Sequence, residues 1–254
     1  MKIKTVVLLL FISILQSCST TPKVHHQMQY TSESLGMDRM KLGLDVSSVE
    51  RFQVAQDLRR DPLDKTPRKQ DSYSLLFYGS KGVTDFWDLD MTVGPDYPIT
   101  IGSTIQLFGA PYAGAGASNF SLALRLSAGI SVTAGEIKAS SIQTSSNVQK
   151  KREWVMNGYS IYWGLKAGYR FVAPLLSYVV FSRERIGYFI DFMEGVEEES
   201  DIDLHHDLLG VGFEYKLGLL GLGLVVAKEE YQIEQDRGQD FDDIYYGLNL
   251  SVLL

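Results

Sequence analysis

The chain has 254 residues, 45% hydrophobic and 22% charged, with 24 Lys+Arg against 31 Asp+Glu and a formal charge of −7. This acidic balance excludes the basic footprint of a nucleic-acid binder. A single cysteine excludes a disulfide scaffold, a CxxC redox site and a cysteine zinc site, and 11% aromatic residues exclude a wholly disordered chain.

The first element is a leader. Lys2 and Lys4 precede the apolar run Val6–Leu15. Ten helical residues reach only about 15 Å, half a bilayer, so the run reads as the core of a signal peptide rather than a membrane anchor. It closes on Leu15-Gln16-Ser17-Cys18, which resembles the lipobox of bacterial lipoproteins, with Gln16 where that family has a small or β-branched residue. The resemblance implies that residues 1–17 are removed and that Cys18 becomes the acylated first residue of an exported chain. A stable anchor of this kind takes more than one acyl chain. Residues 18–39 follow as a polar tether with no core of their own, and His25-His26 in it read as solvated linker.

From residue 40 onward, period-two alternation decides the class. Short matches come first: Met40, Leu42, Leu44, Val46; then Trp87, Leu89, Met91, Val93; then Ile99 to Leu107. Between the first two, Val49–Arg60 is compatible with one short amphipathic helix. Over Asn119–Val132 one face carries Phe120, Leu122, Leu124, Leu126, Ala128, Ile130 and Val132, while the other carries Asn, Ser, Ala, Gly and Arg125. Gly158–Phe171, Leu209–Leu217 and Tyr246–Leu254 repeat the rule.

The composition of the two faces sets their orientation. A soluble barrel would present Lys and Glu to water, yet here the polar faces are mainly small, with one or two charges per strand. The apolar faces are continuous, as lipid contact requires. Several strands reach the 9–11 residues needed to cross an outer membrane at a tilt, and closing the sheet pairs its edges. Read back from the C-terminus, long connections (229–242, 193–206, 133–154) alternate with tight ones at Gly218 and Ala173-Pro174. The expectation is an all-β, closed, antiparallel up-and-down transmembrane β-barrel of about ten strands, with eight to twelve compatible. Residues 40–254 therefore resemble a small bacterial outer-membrane β-barrel protein. Tyr246–Leu254 resembles the C-terminal signal that such proteins present to the barrel assembly machinery, ending in Leu254 where an aromatic is usual.

Candidate chemistry is sparse. The charges expected to face the lumen are Asp88, Asp90, Arg125, Lys166, Arg170, Glu214 and Lys216. Both signs are present, so they are expected to pair and fill the interior, the other reading being a narrow selective pore. Ser200, Asp201, Asp203, His205, His206 and Asp207 could form a rim catalytic group, but no constellation from other loops supports one. The acidic stretches 194–207 and 229–243 read as solvated external loops able to hold divalent cations loosely. Trp87, Trp154, Trp163, Tyr159, Tyr188, Phe192 and Tyr246 are placed in aromatic girdles at the strand ends. The reading is a monomeric, non-catalytic outer-membrane scaffold or surface-interaction protein with lipid as its surroundings and no cofactor or nucleic acid. A narrow channel, a rim enzyme and a lipid-anchored periplasmic ligand-binding barrel are the other readings.

Overall fold

The computed structural model describes residues 31–52, 69–94, 97–112, 114–138, 151–192, 200–234 and 239–254. The leader, Cys18, His25 and His26 lie outside them. Ten strands follow in chain order: β1 (Met40–Phe52), β2 (Lys69–Gly82), β3 (Trp87–Gly94), β4 (Tyr97–Phe108), β5 (Asn119–Lys138), β6 (Lys151–Val172), β7 (Leu175–Phe192), β8 (Ser200–Leu217), β9 (Leu220–Glu234) and β10 (Gln239–Leu253). Each pairs antiparallel with its neighbours in sequence, and β1 closes on β10 through Lys41↔Leu253 to Ser47↔Gly247. Met40 and Leu254 exchange both backbone hydrogen bonds at the seam, so the sheet closes on itself at this end.

The alternation sorts side chains as the composition of the faces demands. On β8, Leu209, Val211, Phe213, Tyr215 and Leu217 are exposed on the outer wall, while Glu214 is buried inside. On β5, Leu126 is 50% exposed and its neighbour Arg125 is 0% exposed. Ile244, Tyr246, Leu250 and Val252 on β10, with Leu254 just past it, join Leu220, Leu222, Leu224 and Val226 on β9 to continue the outer belt.

Where the apolar pattern ends, the strands do not. β1 runs on through Val49–Phe52, where a helix was compatible with the sequence. β8 begins at Ser200, so Ser200–His206 is strand rather than loop, and β5, β6, β9 and β10 are longer than their apolar faces. The wall is uneven, since β5 and β6 have 20 and 22 residues and β3 only 8. Consequently β3 and β4 are separated by just residues 95–96 at the end where long connections were expected.

Six tyrosines stand among the small residues of the inner wall. Tyr78, Tyr162, Tyr178, Tyr188, Tyr231 and Tyr245 are all buried within it. Tyr188 therefore belongs to the lumen and not to a girdle, whereas Tyr246 lies on the outer wall. Three of the tyrosines lie against a glycine directly across the ladder: Tyr78 on Gly43, Tyr188 on Gly158 and Tyr178 on Gly212. Each ring covers backbone that a glycine leaves bare, and a Cβ at any of the three would collide with it.

The final part of the expected tether is folded. Thr31 to Leu35 are buried, and the chain turns at Gly36 (φ +89°) over the rim, where Gly82 approaches so closely that a Cβ on it would meet Gly36 backbone. Polar residues without periodicity are satisfied here by the lumen wall rather than by water. Residues 31–36 form a strap across one mouth of the barrel, at the end that carries both chain termini of the sheet and the short connections.

Candidate functional site

The lumen is the site, because it gathers the charges of a mostly apolar domain. It is built in levels from the strapped mouth upward. At the mouth, Arg170 on β6 donates through Nε (3.1 Å) and Nη2 (2.6 Å) to the two carboxylate oxygens of Glu33 in the strap. Asn119 Nδ2 adds a third donor to Glu33 at 2.8 Å. Asp88 on β3 accepts from Ser34 Oγ (2.8 Å) and from the Leu35 amide (3.0 Å). Gln106 Oε1 accepts from the Ser34 amide at 2.6 Å, and the Tyr112 amide donates to the Ser34 carbonyl at 2.6 Å. Lys41 on β1 pairs with Glu214 on β8 at 3.1 Å. Lys41, Arg170 and Lys216 all approach the ring of Tyr112, at 5.8, 5.5 and 4.6 Å from its centroid.

Above the mouth, Arg125 on β5 and Asp90 on β3 form a fully buried ion pair, with the guanidinium 6.0 Å from the centre of the Tyr162 ring. The Lys166 ammonium sits 4.1 Å from the centre of the Tyr178 ring, and Tyr78 donates to Asn249 Oδ1 at 2.9 Å. Higher still, the packing turns apolar: Tyr162, Tyr178, Val180, Leu208, Val225, Ala227 and Tyr245 form one buried cluster. His206 stacks on Tyr231 at 4.6 Å, and Tyr231 donates to Glu229. Salt links alone would leave gaps among these charges. Phenol rings fill them, combining volume with a polar tip that needs few rotamers.

Of the seven expected lumen charges, Asp88, Asp90, Arg125, Lys166, Arg170 and Glu214 are buried inside and Lys216 is half-buried at the mouth. They pair locally, and Glu214 also attracts Lys166 and Arg170 at longer range. Arg125 takes Asp90, while Arg170 and Asp88 take the strap, and Glu214 takes Lys41. Lys41 and Asp45 were legible in β1, where they alternate with Leu42 and Leu44, but were not singled out. Glu33 carried no signal, since it stands in a polar stretch without period.

The rim group is divided by the sheet. His206 points inward and is buried, whereas Asp203, His205 and Asp207 face outward. On that outer wall Arg183 grips Asp207 with two bonds of 2.6 Å, and Arg185 holds Asp203 at 2.7 Å. Lys228 pairs with Glu230 (2.6 Å) and Asp242 (3.3 Å). Arg183, Asp207, Glu230 and Asp242 are cross-strand neighbours, so they make a row of charge directly beyond Phe181, Leu209 and Ile244. Below that row an open apolar groove of about 730 Å³ runs between Val179, Leu209, Val211, Val226 and Ile244. Trp163 packs edge-on against Phe181 at 5.4 Å at the same level. The side chains of Trp154, Phe192 and residues 193–199 lie outside the described residues. Among the described residues, no group of three or more His, Cys, Asp or Glu is arranged to hold a metal ion.

No family model matches the chain, and no curated protein does. Among solved structures it is similar to Ail, the attachment invasion locus protein of Yersinia pestis. The complex with the heparin analogue sucrose octasulfate gives 9% identity over 86% of this chain and 99% of that one, with a TM-score of 0.34. A second Ail structure gives 8% identity over the same shares, with a TM-score of 0.31.

Proposed function

We propose that the chain is a bacterial outer-membrane barrel that acts as a closed, non-catalytic scaffold and meets other molecules through the part of its wall beyond the apolar belt. The observation that carries this reading is the pairing of an exposed apolar outer wall with an interior filled by side chains. Water cannot solvate such a wall, and exposed apolar patches of this extent mark a lipid or protein environment. From Ile244 on β10 to Leu254 the apolar outer residues extend about 33 Å at roughly 3.3 Å per residue, so at a tilt of about 40° they rise about 25 Å, the height of an outer-membrane apolar band. The charge row from Arg183 to Asp242 then falls at the headgroup level. Exposed pairs there contribute little stability and suit contact with polar partners. Export through the Cys18 signal, lipid attachment at Cys18, insertion by the barrel assembly machinery and a monomeric state belong to the same proposal.

The filled interior supports a closed scaffold over a channel, and the separation of His206 from Asp203 and Asp207 supports a non-catalytic role. The test combines two readouts on the full chain. With Cys18→Ser, the protein is expected to stay in the membrane until detergent is added, and in a planar bilayer it shows no sustained conductance steps. Release by salt or alkali alone would overturn the membrane-spanning reading. Regular conductance steps would replace the closed scaffold with a channel.

A further inference from the structure

The strap is held in a way that packing alone does not require. The side chains of residues 32–35 all meet partners on the barrel wall, while the Glu33 backbone pairs with Thr31 inside the strap. Ser32 Oγ lies 2.7 Å from Ser121 Oγ. The Glu33 carboxylate takes Arg170 through two bonds and Asn119 through a third. Ser34 is read at its amide by Gln106, at its carbonyl by the Tyr112 amide and at its hydroxyl by Asp88. Leu35 packs with Tyr112 and Leu253. These partners come from β3, β4, β5, β6, β10 and the connection between β4 and β5, so the cradle belongs to the barrel and not to the strap.

The charge balance points the same way. Lys41, Arg170 and Lys216 surround the Tyr112 ring, and Glu214 offsets one of them. Among the described residues no carboxylate lies within ion-pair distance of Lys216. Asp88 directs its oxygens to Ser34 and Leu35. Without Glu33, the mouth therefore holds an excess of positive charge beside a ready-made set of side-chain acceptors and donors and one backbone donor, the Tyr112 amide.

We propose that this mouth of the barrel is a peptide-binding cradle for a short acidic segment of the Ser-Glu-Ser-Leu type, filled in cis by residues 32–35. Arg170 and Asn119 read the acidic side chain, Asp88 and Gln106 read the hydroxyl and amides that follow, and the pocket at Tyr112 and Leu253 takes the apolar residue. The occupant is covalently attached, so its effective concentration is of millimolar order and it outcompetes a free peptide of equal intrinsic affinity. Weakening the cis strap is what admits a second peptide. The inference does not depend on the scaffold reading, since it concerns the barrel's own mouth whatever the outer wall contacts.

The test uses the full-length chain in detergent micelles and a fluorescein-labelled peptide of sequence Thr-Ser-Glu-Ser-Leu-Gly. With Glu33→Ala the labelled peptide is expected to bind at least tenfold more tightly than to the unaltered chain. The same peptide with its Glu replaced by Ala, or the double variant Glu33→Ala/Arg170→Met, loses that gain. If Glu33→Ala folds poorly, Glu33→Gln, which keeps the side-chain length, carries the same comparison. Equal binding to the variant and the unaltered chain would overturn the proposal, as would a gain that survives loss of Arg170 or of the peptide carboxylate.

Discussion

Replacing Arg125 with Met is expected to destabilise the folded barrel by about 3–5 kcal/mol, because Asp90 is left as an uncompensated charge in the lumen. Arg125 and Asp90 are both buried and form an ion pair beside the Tyr162 ring. Bulk water is remote, and the Tyr162 ring occupies the space on one side of the guanidinium. Gly102 faces the pair so closely that even a methyl group there would displace it. A well-packed apolar replacement of both partners, Arg125→Met/Asp90→Leu, should recover most of the loss, since desolvation of two charges nearly cancels their attraction. Urea titration of the chain in lipid vesicles, read as the shift in mobility of folded against unfolded protein on a gel, measures all three forms. A double variant no better than Arg125→Met would mean that the pair provides more than charge balance.

The second large effect lies on the outer wall. Leu224 on β9 is 52% exposed and stands opposite Phe213 and Leu248, which share the belt. Leu224→Arg places a guanidinium among acyl chains and is expected to cost about 2–4 kcal/mol in vesicles. Gln232→Arg, on the same strand and the same face but beyond Lys228, should cost less than about 1 kcal/mol, because that level is wet. In a water-soluble barrel the ranking collapses, since both positions would face solvent. The comparison is internal to one strand, so differences in expression or refolding between variants do not decide it.

How much of this was legible depended on whether one face of a strand was uniformly apolar. β5, β6, β8 and β10 met that condition in the belt, and their orientation followed from residues such as Leu126 and Arg125 standing side by side. β7 did not meet it. Its inner face holds Leu176, Val180 and Ile186, all fully buried, while its outer face holds Arg183 and Arg185, so neither face reads as the greasy one. Beyond the belt the same blindness applies to strand length. Over Ser200–His206 the outer face carries Asp203 and His205 rather than apolar residues, and pairing with β7 and β9 extends the strand without an apolar outer face.

The interior was read as small and polar, yet much of its volume is tyrosine. Tyr162 and Tyr245 stood on the polar faces in the sequence, but their face-mates Gly158 and Gly164, and Gly247 and Ser251, suggested small side chains throughout. At Gly158 and Gly212 a ring from the next strand lies over the glycine, Tyr188 on the first and Tyr178 on the second. That relation is between strands and becomes visible only once register is known. The strap is the extreme case. Glu33 has no periodic context at all, and its role rests on Arg170, which stands 137 residues away.

The most direct measurement of the account is quenching by brominated lipid in vesicles. In a chain whose native Trp87, Trp154 and Trp163 are changed to Phe, a single tryptophan is placed either on the outer wall (Leu126→Trp, Leu224→Trp) or within the lumen (Tyr162→Trp, Tyr178→Trp). Bromine attached along the acyl chains should extinguish most of the emission from the first pair and leave the second pair bright. Bright emission at Leu126 and Leu224 with strong quenching at Tyr162 and Tyr178 would contradict the account.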